Sequence, residues 1–106
     1  MKNLFVTEGL PDISEVFETL LEIPNVNGAI KIERIVSFGH PTPIGEWYDQ
    51  EESEWVSLLS GRATLLYEDG TIVEMVAGDH ILIPPHLRHR VEKVSNDAVW
   101  LAIFIS

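Results

Sequence analysis

Two stretches of this chain decide its fold: GEWYDQEESEWVSLLSG at residues 45–61 and GDHILIPPHLRH at residues 78–89. Between them stands the pair Asp69-Gly70, flanked by apolar runs. Such a pair favours a type I′ hairpin, because both central residues of that turn need positive φ. The pair therefore predicts a tight turn between strands at about residues 62–67 and 71–76. The two stretches predict further short strands, which carry Glu54 in the first and His89 in the second.

The same pattern continues over the rest of the chain after Gly28. Apolar and β-branched runs of four to eight residues alternate with turns rich in glycine, proline, aspartate and asparagine, which is typical of strands. We predict strands at about residues 29–36, 54–59, 62–67, 71–76, 80–83, 89–94 and 99–105. Many short strands with regular turns predict an all-β sandwich or barrel.

Residues 1–28 predict a helical segment that packs on this barrel. Five apolar residues follow a 3.6-residue period, namely Ile13, Val16, Phe17, Leu20 and Leu21. Asp12 can cap the helix with Glu15 three residues later, and Pro24 with residues 25–28 ends it. We therefore expect one domain, with an N-terminal segment at 1–28 and the barrel at 29–106.

The first of the two stretches resembles the first cupin motif. That motif has a glycine, then His-x-His, a glutamate three or four residues later, and a glycine six residues beyond. Glu54 and Gly61 keep this spacing, while Tyr48 and Gln50 stand at the two histidine positions.

The second stretch resembles the second cupin motif, which has a glycine, five residues, Pro-x-Gly, two residues, a histidine and, after three more residues, an asparagine. His89 keeps the histidine, His86 replaces the second glycine, and Lys93 replaces the asparagine. The resemblance covers residues 45–93 and implies a double-stranded β-helix, or jelly-roll, of the small single-domain, RmlC-like cupin type. This superfamily includes dioxygenases, sugar epimerases and non-catalytic binding proteins, so its fold does not settle function.

The resemblance also implies a metal site that this sequence keeps in part. Typical metal-binding cupins hold a divalent ion with three histidines and a glutamate, and here Glu54 and His89 remain. Gln50 offers a neutral carbonyl oxygen, and Tyr48 must first lose its proton. A remnant of Glu54, His89 and Gln50 is expected to bind iron, manganese, nickel or zinc weakly.

Without a metal, the same positions predict a small-molecule pocket. Residues 48, 50 and 54 share one parity along an extended chain, so their side chains point to one face. If that face is the barrel interior, Tyr48, Gln50 and Glu54 meet His89 in one cavity. Histidine titrates near neutral pH, which makes His89, with Glu54 beside it, the candidate catalytic pair.

Two further side chains are candidate ligand-binding residues together with Tyr48 and Gln50. His86 follows two prolines close to His89, and Arg88 would select an anionic ligand if it curled over the opening. Three functions stay open: a small-molecule-binding cupin, a metal-dependent dioxygenase or isomerase, and a non-catalytic structural or regulatory dimer. In the third, Glu54 and His89 are a buried structural pair. Whether the protein is an enzyme is therefore open.

Composition narrows the partners. The chain has 17 acidic and 7 basic residues, a net charge of -10, and no cysteine. A surface with this negative charge repels nucleic acids and anionic membranes. Because the chain has no cysteine, it can form neither disulfides nor thiolate metal sites. No apolar run reaches membrane-spanning length and the start lacks a signal peptide's apolar core, so we expect a soluble cytoplasmic protein.

The last predicted strand, residues 99–105, is apolar on both faces. Val99, Leu101, Ile103 and Ile105 share one face, and Trp100, Ala102 and Phe104 share the other. A strand covered on both sides needs a further layer outside the barrel, either the N-terminal helix or another subunit. We therefore expect a homodimer.

Overall fold

The computed structural model describes residues 3–24 and 28–106, and in this part of the chain it contains eight strands and no helix. The strands are β1 (Val16–Ile23), β2 (Ile30–Ser37), β3 (Ser53–Ser60), β4 (Arg62–Tyr67), β5 (Ile72–Val76), β6 (His80–Ile83), β7 (His89–Val94) and β8 (Ala98–Ile105). They form a five-stranded sheet in the order β1-β2-β8-β3-β6 and a three-stranded sheet in the order β5-β4-β7. The predicted all-β, jelly-roll fold is confirmed.

The core lies between the two sheets because each strand turns one set of alternate residues inward. In β8, Trp100 and Ala102 are buried, whereas Leu101 and Ile103 lie on the other face and remain partly exposed. Trp100 pairs with Ile35 of β2 and with Leu58 of β3, so three neighbouring strands present apolar side chains to the same interior. This period of two is what the sequence pattern predicts for half-buried strands.

The predicted strands after Gly28 agree with the structure to within one or two residues. The predicted hairpin between β4 and β5 forms, but the predicted type I′ turn is wrong. Gly70 has φ +93° whereas Asp69 does not have positive φ, and the Gly70 amide donates to the Tyr67 carbonyl, so Glu68 and Asp69 are the central residues of the turn. Residues 25–27, where we predicted the end of the N-terminal helix, lie outside the described residues, as do residues 1–2.

The predicted N-terminal helix is wrong. Residues Val16–Ile23 form β1, which pairs antiparallel with β2. Its register shifts between Thr19 and Leu21, as a β-bulge does when it adds one residue to a strand. Phe17, before the shift, therefore faces the interior, and Leu21, after it, faces outward. The shift interrupts the strand alternation, so that the apolar residues of this segment fall at the spacing of a helix.

Because residues Val16–Ile23 form a strand, the outer face of the five-stranded sheet lacks the helix that we expected to cover it. Arg34 on that face is buried because its guanidinium donates to the carbonyls of Leu4 and Val6 and pairs with Glu18. Farther along the sheet, Leu21 and Leu82 are about half exposed. Within the described residues, no helix is long and apolar enough to cross a membrane.

Candidate functional site

A cavity opens inside the barrel, between the two sheets. The space between its wall atoms is about 490 Å³, which includes open solvent at its mouth. Its walls are mainly apolar, and they include Ile35, Val56, Leu65, Ile83, Val91 and Trp100. Five polar side chains also line it, namely Glu15, Tyr48, Gln50, Glu54 and His89. An apolar cavity with a few converging polar groups is the usual form of a small-ligand site.

His89 is the first residue of β7 and is held rigidly. Its main chain exchanges two hydrogen bonds with Tyr48, at 2.8 and 3.1 Å, which also fixes Tyr48 at the edge of the three-stranded sheet. Its Nδ1 lies 2.8 Å from the Leu87 carbonyl oxygen. Because a carbonyl can only accept, Nδ1 carries a proton, and whenever the ring is neutral its Nε2 is free to accept one.

Glu54 on β3 faces this free nitrogen. Its Oε1 accepts a 2.7 Å hydrogen bond from the Gln50 side-chain amide and lies 3.7 Å from His89 Nε2. A separation of 3.7 Å is too long for a direct hydrogen bond. With His89 neutral, two buried acceptors therefore face each other and lack a donor between them.

Tyr48 packs against His89 and is the less buried of the two. Its ring centroid is 5.6 Å from that of His89 and 6.4 Å from that of Phe17 on β1, so the two aromatic contacts join the edges of the two sheets. Burial, followed by the charge of Glu15, raises the pKa of Tyr48 to about 12, and a hydrogen bond with Thr42 offsets this in part. Tyr48 is therefore a neutral phenol at physiological pH.

Glu15 is the site residue that the sequence analysis missed, since it was assigned to a helix cap. In the structure it precedes β1 by one residue, and its side chain lines the cavity with Phe17. Burial raises the pKa of Glu15 to about 7, an effect that the charge of His40 partly opposes. The sequence places Glu15 two residues before Phe17, and residues two apart in a strand share a face. This spacing indicates that Glu15 faces the cavity only if the segment is interpreted as a strand.

His86 and Arg88, which we predicted to bind ligand, lie outside the cavity. His86 has φ +61° in the tight turn after Pro84-Pro85, and its ring is turned outward to Asp49, at 2.8 Å. Arg88 precedes His89 and therefore points the opposite way, where it pairs with Glu68 and lies over the Trp47 ring. Strand alternation thus separates Arg88 from the interior.

The donor set does not fit a tightly held metal ion. His89 Nε2 and Glu54 are the two side-chain donors that converge, whereas Gln50 turns its amide nitrogen toward Glu54 and Tyr48 is a neutral phenol. Among the described residues, no three histidine, aspartate or glutamate side chains are grouped as metal ligands would be. Catalytic zinc sites, by comparison, use three protein ligands.

Comparison with known proteins agrees with this architecture. The family model described as "Cupin domain" matches residues 39–104, well over half of the chain. No protein of curated function matches the sequence.

Three solved structures illustrate the range of similarity. The chain is 40% identical to a putative mannose-6-phosphate isomerase from Ralstonia eutropha JMP134, with a TM-score of 0.83 over 98% of this chain and 95% of the other. An RmlC-like cupin protein from Desulfovibrio desulfuricans is 18% identical, with a TM-score of 0.72 over 98% and 95% of the two chains. KdgF from a Halomonas species is 15% identical, with a TM-score of 0.69 over 92% and 83%.

The last two similarities, at low identity, show the fold alone. The family match covers both stretches that carry Glu54 and His89, and the first structure aligns over nearly the whole chain. The protein therefore belongs to the cupin domain family.

Proposed function

We propose that this protein binds a small, uncharged organic molecule in the barrel interior, and that Glu54 and His89 hold a hydroxyl or amino group of that ligand. One observation carries the proposal: Glu54 Oε1, which already accepts from Gln50, and His89 Nε2 face each other inside the barrel across 3.7 Å without a hydrogen bond between them. A ligand hydrogen-bond donor placed between the two atoms would bridge them. When the His89 ring is neutral, such a donor supplies Nε2 with the partner that it lacks, and leaving a buried acceptor unsatisfied costs about 1–3 kcal/mol.

The charges of the cavity disfavour an anionic ligand. Of the described residues that line it, two are glutamates and none is lysine or arginine. Arg90 also lies outside, because its guanidinium donates to the main-chain carbonyls of Thr42, Pro43 and Glu46. The name of the Ralstonia protein would suggest a sugar phosphate as ligand, but a phosphate group has no cation to meet in this cavity.

The same pair gives the site a capacity for proton transfer. The free Nε2 of neutral His89 can accept a proton from a bound ligand, and the neighbouring carboxylate would stabilise the imidazolium that forms. Tyr48, held against the His89 ring, can donate a hydrogen bond to the ligand as a neutral phenol. An isomerase-type reaction that moves a proton between neighbouring atoms would fit these groups, and binding without turnover requires the same contacts.

Binding of defined probes tests the proposal. We would measure the Kd of cyclohexane-1,2-diol, 2-hydroxycyclohexanone, D-mannose and D-mannose 6-phosphate by ligand-observed NMR. At least one neutral probe is expected to bind, and more tightly than the phosphate. His89→Ala and Glu54→Ala should each weaken that binding about tenfold, equivalent to one lost hydrogen bond.

His86→Ala and Glu51→Ala are the matched controls, because both residues are exposed and lie outside the cavity. Equal Kd values for His89→Ala and His86→Ala would contradict the proposal. Near-stoichiometric divalent metal in the purified protein, lost in His89→Ala, would instead favour a metal-dependent enzyme. Absence of binding by every probe would favour a structural or regulatory role.

A further inference from the structure

Glu15 and Gln50 are the two polar groups of the cavity to which the proposed function assigns no role, and Gln50 is already bonded to Glu54. The Glu15 side chain lines the cavity together with Phe17, and its Oε1 atom is buried without any hydrogen-bond partner in the described part of the chain. Buried polar atoms are hydrogen-bonded in the great majority of native structures. An unsatisfied oxygen that borders a cavity is therefore open to a partner from a bound molecule.

Glu15 and Glu54 approach the cavity from different strands. Glu15 precedes β1 at the edge of the five-stranded sheet, whereas Glu54 lies on β3, and both β2 and β8 separate these strands. The charges of both glutamates act on Tyr48, whose hydroxyl thus lies within electrostatic reach of each. The arrangement suits a ligand with one polar group near Glu54 and His89 and another near Glu15.

We propose that Glu15 is a ligand-binding residue whose carboxyl group donates a hydrogen bond to an acceptor oxygen at the second end of a neutral ligand. The inference rests on the proposed function, because it concerns the other end of the same bound molecule. It also defines the ligand class more narrowly. A molecule with a hydroxyl donor at one end and a carbonyl acceptor at the other, such as a hydroxyketone or hydroxyaldehyde, meets both requirements.

The protonation of Glu15 supports a donor role. Its pKa is raised to about 7, chiefly by burial, so the neutral carboxyl group predominates below that pH. Tyr48, Glu54 and His89 line the cavity with it, and His40 acts on it from outside while binding the Asp12 carbonyl. Above pH 7 a carboxylate replaces the donor and repels a carbonyl oxygen.

The test uses 2-hydroxycyclohexanone as the probe and compares its Kd at pH 6.0 and pH 8.5. Because histidines titrate over the same interval, the measured quantity is the affinity ratio of Glu15→Gln to wild type at each pH. Glutamine keeps a donor at every pH, so this ratio should be near one at pH 6.0. It should rise roughly tenfold at pH 8.5, the equivalent of one hydrogen bond.

Three further variants separate the possible failures. Glu15→Ala should bind weakly at both pH values, and Glu51→Gln, an exposed matched control, should behave as wild type. Glu54→Ala should bind weakly yet keep the pH dependence that Glu15 contributes. If Glu15→Ala binds as wild type does while Glu54→Ala does not, the role of Glu15 is wrong and the proposed function stands. If neither Glu54→Ala nor His89→Ala changes binding, the proposed function fails together with this inference. If 2-hydroxycyclohexanone does not bind while another neutral probe does, the ligand class inferred from Glu15 is wrong and the proposed function stands.

Discussion

Glu15 shows how a single buried carboxyl group links the stability of this protein to pH. Burial favours its neutral form, which raises its pKa from an ordinary 4.5 to about 7. The folded protein therefore binds this proton more tightly than the unfolded chain does. The resulting stabilisation is complete below about pH 4.5 and is lost as the pH rises through 7.

We expect the free energy of unfolding to show this loss between pH 5 and pH 8.5. The contribution of Glu15 should fall by roughly 1–2 kcal/mol, after allowance for water that enters the open cavity. In Glu15→Gln this component should be absent, so that the variant gains stability relative to wild type as the pH rises. Urea unfolding at several pH values measures the difference. Parallel curves for the two proteins would show that Glu15 is ionised throughout.

Individual site residues could be located from the sequence only where a motif or the alternation of a strand indicates their direction. Glu54 and His89 were found because their motif spacing is preserved, and the shared parity of Tyr48 and Gln50 placed them on the same face. Their roles in binding stay predictions. Glu15 could not be found, since its inward direction depends on β1 being a strand.

Among the structural elements, the turn between β3 and β4 shows why the first motif ends in a glycine. Gly61 has φ +85°, and a Cβ atom there would lie 2.8 Å from the Ala98 Cα and 2.5 Å from the Ser95 Oγ. Positive φ alone disfavours other residues, and the close approach of the main chain at residue 98 adds a steric requirement. Gly78 has a similar φ of +97° but nothing within 4 Å of the same position.

This contrast gives a matched pair of substitutions. Gly78→Ala should cost about 1–2 kcal/mol, the strain of alanine at positive φ. Gly61→Ala should cost about 1–3 kcal/mol more, because the neighbouring main chain must move. Urea unfolding of both variants gives the comparison. Equal losses of stability would mean that the contact between Gly61 and Ala98 has no energetic effect.

The strands themselves were largely predictable, with one exception that has a physical cause. After Gly28, alternation and turn residues located each strand, although the register also shifts between Leu58 and Ser60 of β3 and between Thr64 and Leu65 of β4. The turn residues Gly61 and Gly70 mark the ends of these strands in the sequence. In β1 the bulge between Thr19 and Leu21 breaks that alternation. A sequence pattern cannot distinguish such a bulge from a helical period without knowledge of the pairing with β2.

For the whole molecule, the dominant unexplained feature is the outer face of the five-stranded sheet. One row of apolar side chains crosses all five strands, namely Leu21, Ile32, Ile103, Trp55 and Leu82. Leu82 is 61% exposed, and Leu21 is 47% exposed. Contiguous apolar surface of this kind marks an interaction site. With no helix over it, a second copy of the chain is the cover that we expect.

We therefore expect a homodimer through this face. Light scattering at micromolar concentration should give twice the chain mass of 12.0 kDa. Leu82→Lys should shift the mass toward one chain, because it places a charge in the interface. Ile72→Lys, at an equally exposed position on the other sheet, is the control and should remain dimeric. A monomeric wild type, or identical masses for both variants, would contradict this assembly.

Two predictions about the whole molecule concern its partners and its location, and its net charge bears on the first of them. A net charge of -10 makes nucleic-acid binding unfavourable, and we predict no such partner. The cytoplasmic location likewise stays a prediction.

The protonation state of the His89 ring, measured with and without ligand, shows whether the cavity offers an open acceptor to a bound molecule. Long-range ¹H–¹⁵N NMR of ¹⁵N-labelled protein at pH 8.5 reports which ring nitrogen carries the proton. We predict a neutral ring protonated at Nδ1, with an Nε2 signal that shifts when 2-hydroxycyclohexanone binds, while His86 is unaffected. A proton found on Nε2, or a His89 signal that is unchanged at saturating probe, would contradict the claim that this nitrogen is an open acceptor for a ligand.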